Sequence, residues 1–332
     1  PAPLLKLDSV VPDNEPVIIS LPILTVILPV SKFVAEVRVS VVAAAVILKK
    51  EHGILGLKDS KKLSPKKRSS LFAEINSNSV SIGIGCVDIK VIDEINIKNA
   101  TLLAMEKALD NLSITPSQVL VDGLDKPEFD IEAKCVIKGD SKIDSIMAAS
   151  IIAKVTRDQM MVNYSKIFFE FGFEKNKGYG TKQHMMALKN FMSTPIHRRS
   201  FQPVNKTLPT LKWLEDNNRL RWMAQKMTAL YLMDLGYEIR SLNYILDKKL
   251  IIDVICNHSQ KNKFIFIKLK NDSVYNKMLD LKLKAEVKNQ ILNYYKYEDI
   301  IKSQLWQIDI IEVDLYNKNS KFEHFEGILS SI

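Results

Sequence analysis

The chain has little cysteine, and its cysteines show no spacing typical of a metal site or a redox motif. Cys86, Cys135 and Cys256 are far apart, odd in number and outside any CxxC or Cys/His pattern. A disulfide framework or a zinc site is therefore not indicated. Because disulfides belong to oxidising compartments, the pattern predicts buried thiols in a reducing cytosol.

Long hydrophobic runs are also missing. The apolar stretch from Val17 to Val30 is interrupted by Pro22 and Pro29, and it is shorter than the roughly 20 residues that a membrane-spanning helix needs. No basic region precedes it, as a signal peptide would require. We therefore expect a cytoplasmic protein that has no membrane partner.

Glycine is absent before Gly53, and the first forty residues are rich in Val, Ile, Leu and Pro. Regular alternation of polar and apolar segments begins only at Val41. Residues 1–40 are accordingly interpreted as an aberrant N-terminal segment.

What the chain does contain is typical of a folded, basic protein. It has 332 residues, of which 46% are hydrophobic and 26% are charged, which suits an ordinary soluble protein of two domains. Its formal net charge of +9 favours a polyanionic partner. Charge alone does not decide whether such a partner exists.

Strands and helices alternate from Val41 onward. The sequence predicts strands at 41–48, 80–87 and 119–122, with a helix that opens at Ser64-Pro65 and another over 95–112. Serine at the N-cap and proline at the first helical position are typical of a helix start. This alternation predicts an α/β architecture with a mixed sheet.

Four ordered blocks carry a family resemblance. They are Asp59-Ser60-Lys61-Lys62-Leu63, the run KGDSKIDSIMAASIIAKVTRD over 138–158, Gly178-Tyr179-Gly180-Thr181-Lys182, and Thr194-Pro195-Ile196-His197-Arg198-Arg199-Ser200-Phe201. Over residues 41–206 the chain closely resembles ribonuclease HII. The resemblance implies a ribonuclease H-like mixed sheet with flanking helices and endonucleolytic hydrolysis of the RNA strand of RNA–DNA hybrids. Mn²⁺ or Mg²⁺ would be the cofactor, and the partner would be a hybrid or duplex DNA with embedded ribonucleotides. The sequence leaves protein partners open.

Two-metal hydrolysis needs several carboxylates around two cations about 4 Å apart. Asp122 ends a short apolar strand and Asp140 precedes a helix, so both are candidate catalytic residues and metal ligands. Taken alone, each has an ordinary interpretation, because Asp-Gly forms turns and an aspartate before a helix is a common N-cap. The matched blocks favour the functional interpretation.

The first motif of the family, Asp-Glu-Ala-Gly-Arg-Gly, supplies half of its catalytic carboxylates, and no Asp-Glu-x-Gly-Arg-Gly occurs in this chain. An ungapped alignment places Val30 and Ser31 where Asp and Glu belong. With a gap, Glu36 becomes a possible surviving metal ligand, although an exposed strand would also carry it. Catalysis is therefore expected to be impaired.

Several residues are predicted to contact nucleic acid. By resemblance, Tyr179 stacks on the sugar at the junction between ribonucleotide and deoxyribonucleotide, although a turn tyrosine also commonly packs on its own domain. His184 and His197 are interpreted as substrate contacts or packing residues. The residues predicted to position the phosphate backbone are Lys61, Lys62, Lys142, Lys177, Arg198 and Arg199.

A linker is predicted at 207–214 and a second domain at 215–332. Residues 215–330 resemble the small YraN-type proteins of the restriction-endonuclease-like fold, through Ala229, Tyr231-Leu232, Gly236-Tyr237, Asn243, Ile252-Asp253-Val254-Ile255 and the run FIFIKLK over 264–270. Asp253 and Lys270 remain from that family's site, but Gln225 and Lys268 stand where it has glutamates. A lysine at a ligand position opposes cation binding, so we expect a degenerate, metal-free α/β module.

Three interpretations stay open at this stage. The chain is an endoribonuclease with impaired catalysis, a hybrid-binding protein without catalysis, or the product of a frameshifted gene.

Overall fold

The computed structural model describes residues 16–20, 41–247, 250–259, 261–270, 305–316 and 320–330. The chain divides into two compact units. The described residues of the first unit are 16–20 and 41–159, and those of the second begin at Met160.

The first unit is built on a five-stranded mixed sheet. Its strands are β1 (Pro16–Ser20), β2 (Val41–Leu48), β3 (Ser79–Val87), β4 (Gln118–Asp122) and β5 (Ala133–Val136), in the order β3-β2-β1-β4-β5. β1 runs antiparallel to β2 and parallel to β4, which is parallel to β5. The mixed α/β sheet is therefore confirmed. β1 lies inside the segment interpreted as aberrant, for which no strand was predicted.

Helices cover both faces of this sheet. They are α1 (Pro65–Asn78), α2 (Ile89–Asp110) and α3 (Asp144–Ile167). All eight residues of β2 are buried. Ala44 and Val46 pack with α1 and α3, whereas Ala43 and Ala45 pack with α2. Because successive strand residues point to opposite faces, an uninterrupted apolar strand such as β2 fits the centre of a three-layer structure.

Helix α2 crosses β3 where two glycines remove the side chain. A Cβ atom at Gly83 would lie 2.0 Å from the carbonyl oxygen of Ala108, and one at Gly85 would lie 1.9 Å from that of Ala104. Neither distance is sterically possible. The Gly-Ile-Gly sequence of β3 thus sets the close approach of helix and sheet.

Local signals define the helix starts. Ser64 accepts a hydrogen bond from the Lys67 amide, and Pro65 opens α1, as predicted. α2 begins at Ile89, earlier than the predicted residue 95, because Asp88 caps it through the Lys90 amide. The predicted start coincides with a kink at Asn96 (φ 65°), whose side chain accepts from two following amides and acts as a second cap.

The second unit combines short helices with another five-stranded sheet. The helices are α4 (Phe173–Asn176), α5 (Lys182–Phe191), α6 (Leu211–Asp216) and α7 (Leu220–Asp234). The strands are β6 (Glu238–Asp247), β7 (Leu250–His258), β8 (Lys261–Leu269), β9 (Trp306–Asp314) and β10 (Lys321–Ser330), in the order β10-β9-β8-β7-β6. β8 and β9 are parallel, and the other neighbours are antiparallel.

One hydrophobic core holds the second unit together. Phe171 and Ile196, before the predicted boundary at residue 206, belong to the same buried cluster as Ala229 and Ile265 beyond it. α6 begins inside the predicted linker and buries Leu214. The domain limits of 41–206, 207–214 and 215–332 stay predictions.

The cysteines differ in exposure. Cys256 is buried, Cys86 is half-buried and Cys135 is exposed. The expectation of three buried thiols is therefore wrong for Cys135, because β5 is an edge strand of its sheet. Among the described residues, no helix combines the length and apolar character needed to span a membrane.

Candidate functional site

The structure brings Asp122 and Asp140 together in the first unit. Asp122 is the last residue of β4, and Asp140 lies in a 3₁₀ turn, Gly139–Ser141, before α3. The Gly139 amide donates to Asp122 Oδ1 over 2.8 Å, and the Asp140 amide also acts on the Asp122 carboxyl group and lowers its pKa. Strand end and turn thus bring the two carboxyl groups close enough for the charge of Asp140 to raise the pKa of Asp122.

Electrostatics at this pair favours a cation. Burial, followed by the negative charge of Asp140, raises the pKa of Asp122. The two backbone amides and the charge of Lys61 act in the opposite direction. A divalent cation held by these carboxylates would offset the like-charge repulsion and favour their charged forms.

Gly139 makes the contact possible. A Cβ atom at this position would lie 2.3 Å from Ile146 Cδ1 and 3.4 Å from Asp122 Oδ1. Lys138, just before it, adopts the left-handed conformation (φ 57°). The tight Lys138-Gly139 turn therefore aims the amides at Asp122. Gly139 was not among the predicted site residues, although the Lys-Gly-Asp order before a helix was a sequence signal for it.

Among the described residues, no third carboxylate joins this pair. Within the described part of the chain, no group of three or more His, Cys, Asp or Glu residues could hold a metal ion. On β1, Ile19 pairs with Val121, so Ser20 comes level with Asp122, and neither β1 residue is an acid. Glu36 lies outside the described residues. Two carboxylates fit one Mg²⁺-like cation that keeps several waters and binds substrate phosphates.

The basic residues predicted for the first unit are exposed. Lys61 and Lys62 belong to a 3₁₀ turn, Ser60–Lys62, that Asp59 caps through the Lys61 amide. Ser60 is buried and bonds Ser150 of α3 through a 2.8 Å hydroxyl contact. Lys142 donates to the Ile137 carbonyl over 2.8 Å. The two lysines of the turn are thus presented by a backbone anchored to α3.

In the second unit, Tyr179 is 53% exposed and stands between two glycines. Its amide donates to the Asn176 carbonyl over 2.8 Å. Lys177 has a left-handed backbone and donates its ammonium group to the Glu174 carbonyl. Arg199 is exposed and Arg198 is half-buried.

His184 and His197 form a buried pair. Their Nε2 atoms are 3.0 Å apart. His184 Nδ1 lies 3.0 Å from the Tyr179 carbonyl oxygen, and the Thr194 amide donates to His197 Nδ1 over 3.1 Å. Burial lowers the pKa of His184, and burial together with the charge of His184 lowers that of His197 to about 3. Both rings are therefore neutral near pH 7.

The remnant residues of the C-terminal sheet are engaged in protein contacts. Asp253 is fully buried and accepts bonds from Arg221 (2.7 and 2.8 Å), Gln225 (2.7 Å) and the Ile267 amide (2.8 Å). Lys270 pairs with Asp314 over 2.7 Å. Arg221 was not predicted, although residues four apart share one helix face and Gln225 follows it at that spacing. The Asp253 carboxylate is thus occupied by protein donors.

Comparisons with known proteins identify the family. The sequence profile described as ribonuclease HII matches residues 39–204. The chain is 51% identical to ribonuclease HII of Shewanella pealeana over 169 residues, which are 51% of this chain and 83% of that protein. It belongs to the ribonuclease HII family. The enzyme from Coxiella burnetii is 48% identical over 166 residues, or 50% of this chain and 82% of that one.

Among solved structures, ribonuclease H2 from Pyrococcus horikoshii aligns with 57% of this chain and 96% of its own length, with a TM-score of 0.46 and 24% identity. Ribonuclease HII enzymes are hydrolases, namely endoribonucleases that act on RNA–DNA hybrids and generally depend on divalent metal ions. The matched range contains Asp122, Asp140 and Tyr179.

Proposed function

We propose that this chain hydrolyses the RNA strand of RNA–DNA hybrids, or cuts at ribonucleotides embedded in duplex DNA, with Mn²⁺ or Mg²⁺ held by Asp122 and Asp140. The observation that carries the proposal is the contact between the Asp122 carboxylate and the Gly139-Asp140 turn, inside the range that matches the family. A bound divalent cation would supply an activated water and charge stabilisation of the leaving oxygen.

The protein residues orient the substrate. Lys61, Lys62 and Lys142 are exposed and would contact backbone phosphates, which gives affinity without sequence preference. Lys177, Arg198 and Arg199 are assigned the same role on the second unit. Tyr179, half exposed between glycines, would stack on the sugar at the junction.

Catalysis is expected to be slow. The described residues provide two acids at the pair and no larger cluster, whereas two cations need more carboxylate oxygens between them. Loss of a residue that only hydrogen-bonds a metal ligand typically lowers metal affinity or activity 10- to 100-fold. Loss of a direct ligand should cost at least as much, unless Glu36 contributes.

The test compares Mn²⁺ binding, duplex binding and duplex cleavage in the same variants. We expect Asp122→Asn and Asp140→Asn each to weaken Mn²⁺ binding at least about tenfold and to abolish cleavage of a duplex with one ribonucleotide, while duplex binding is retained. Asp125→Asn is the matched control, because Asp125 is an exposed carboxylate that pairs with Lys98. Equal Mn²⁺ affinity in all three variants and the unmodified chain would refute the metal site.

The scarcity of carboxylates favours a second candidate function, namely binding of hybrids without catalysis. The same assay separates the two. A chain that binds the ribonucleotide duplex with preference over DNA, yet does not cut it at any Mn²⁺ or Mg²⁺ concentration, is a binding protein.

For residues 215–332 we propose a metal-free accessory module that resembles the YraN-type proteins. The burial of Asp253 against Arg221 and Gln225 and the pairing of Lys270 with Asp314 support this, because each charge has a protein partner. Asp253→Asn, included in the Mn²⁺ titration, should bind Mn²⁺ like the unmodified chain.

A further inference from the structure

The backbone of Tyr179 is held by a chain of hydrogen bonds that starts at Thr194, just after the C-terminal end of α5. The Thr194 amide bonds His197, His197 bonds His184, and His184 bonds the Tyr179 carbonyl. Both imidazoles are buried, with relative exposures of 6% and 7%. The rings of Phe171 and Phe173 pack against them.

Only one assignment of protons satisfies every link of this chain. The Tyr179 carbonyl can only accept, so His184 carries its proton on Nδ1 and its Nε2 accepts. The proton between the rings therefore belongs to His197 Nε2, which leaves His197 Nδ1 to accept from the Thr194 amide and from the Thr194 hydroxyl, 2.8 Å away. Two neutral histidines with opposite tautomers thus form a chain of hydrogen bonds in which every donor points toward Tyr179. We call His184 and His197 with these bonds the histidine relay.

We propose that His184 and His197 are positioning residues that fix the Tyr179 loop for recognition of the junction sugar, an inference that rests on the proposed function of Tyr179. The relay acts on the main chain of the tyrosine, since His184 bonds the carbonyl oxygen and leaves the ring half exposed.

The loop combines a left-handed turn with short-range hydrogen bonds, one of which runs from the Thr181 amide to the same Tyr179 carbonyl over 2.8 Å. Lys177 and Gly178 both have positive φ, at 51° and 83°, so the chain makes a tight left-handed turn just before Tyr179. Buried Asn176 closes that turn by accepting from the Gly178 amide over 2.8 Å. The carbonyl bond from His184 then ties the far side of the turn to α5.

Two substitutions of His184 distinguish the effect of losing its hydrogen-bond donor from the effect of losing its ring. His184→Asn keeps an amide nitrogen near the place of Nδ1 and can still donate to the Tyr179 carbonyl. His184→Phe keeps the aromatic ring among Phe171 and Phe173 but removes the donor. Thermal melting checks that both variants are folded.

The first measurement is hydrogen exchange of the Tyr179 and Thr181 amides, which bond within this loop. We expect His184→Phe to speed their exchange at least about fivefold, the scale of one lost hydrogen bond, and His184→Asn to restore most of the protection. Unchanged exchange in folded His184→Phe would overturn the positioning role, whatever the substrate of the protein.

The second measurement is a double-mutant cycle on duplex binding. Tyr179→Ala should reduce the preference for a ribonucleotide junction over plain DNA by about 5- to 150-fold, the range for an aromatic platform. His184→Phe should reproduce part of this loss, and adding it to Tyr179→Ala should cause no further loss. Additive losses would show that His184 acts elsewhere and overturn the inference. No loss in Tyr179→Ala, together with faster exchange in His184→Phe, would instead refute the sugar-binding role of Tyr179 alone.

Discussion

At Gly139, a hydrogen in place of a side chain lets the backbone reach the Asp122 carboxylate. The hypothetical Cβ contacts the tip of Ile146 first, at 2.3 Å, and the Asp122 oxygen only at 3.4 Å. The obstacle to a larger residue is thus mainly the packing of one buried isoleucine. This makes the role of Gly139 separable from that of the carboxylates.

Gly139→Ala is expected to destabilise the protein by about 1–3 kcal/mol, the usual cost of overpacking. Ile146→Val removes the methyl group that the new Cβ would strike and should cost about 0.5–1.5 kcal/mol alone. The double variant should be more stable than the sum of the two losses predicts. Urea unfolding of the three variants measures this, and strictly additive losses would mean that the backbone, not Ile146, resists the substitution.

At the scale of elements, the histidine relay joins α5 to the Thr194–His197 segment and makes their packing sensitive to pH. Above about pH 6.5, histidine is neutral in both the folded and the unfolded chain. The relay then makes its full contribution to the free energy of unfolding. As the pH falls from about 6.5 toward 3, the unfolded chain binds a proton that folded His197, with its pKa lowered to about 3, does not. Stability is therefore lost toward acid pH.

We expect His197 to contribute a loss of about 1.4 kcal/mol in the free energy of unfolding per pH unit over this window, with His184 acting in the same direction. His197→Gln lacks the titrating ring, so its unfolding free energy should fall less steeply between about pH 6 and pH 4. Denaturant unfolding at several pH values gives both slopes. Parallel slopes would show that His197 is not held neutral by the fold.

Local elements were predictable, and their long-range partners were not. The Ser64-Pro65 helix start and strand β2 depend on neighbouring residues and on an uninterrupted apolar run, which the sequence displays directly. β1 was missed because Pro16–Ser20 becomes a strand only through β2 and β4, which are distant in sequence. The partner of Asp253 was missed likewise, since Arg221 approaches it from α7.

The same distinction holds for the candidate site. Asp122 and Asp140 were selected by residue type and by the matched blocks, and a sheet end and a turn bring them together. The tautomers of His184 and His197 depend on a contact between α5 and the segment that follows it, and no local sequence pattern encodes that contact. For such buried polar pairs, the direction of each bond follows only once every neighbouring donor and acceptor is placed.

For the molecule as a whole, the main discontinuity lies before Val41. The family match begins at residue 39, and 169 residues of the chain align at 51% identity with one ribonuclease HII. Yet the preceding residues contain neither glycine nor the Asp-Glu-x-Gly-Arg-Gly motif. Gradual divergence would leave scattered glycines or acids at the motif positions, whereas a frame change removes all of them at once.

We therefore expect the gene to encode Asp-Glu-x-Gly-Arg-Gly in another reading frame upstream of the Val41 codon. A β1 strand at Pro16–Ser20 does not conflict with this, because an apolar stretch can pair with β2 and β4 whatever its origin.

Restoring the frame would return two carboxylates beside Asp122 and Asp140, so cleavage of a ribonucleotide duplex with Mn²⁺ or Mg²⁺ should rise at least about 10- to 100-fold. The nucleotide sequence decides the first step and a cleavage assay the second. If no frame encodes the motif and the chain as printed still cuts hybrids, then Glu36 or another acid completes the site and the frame-change explanation is wrong.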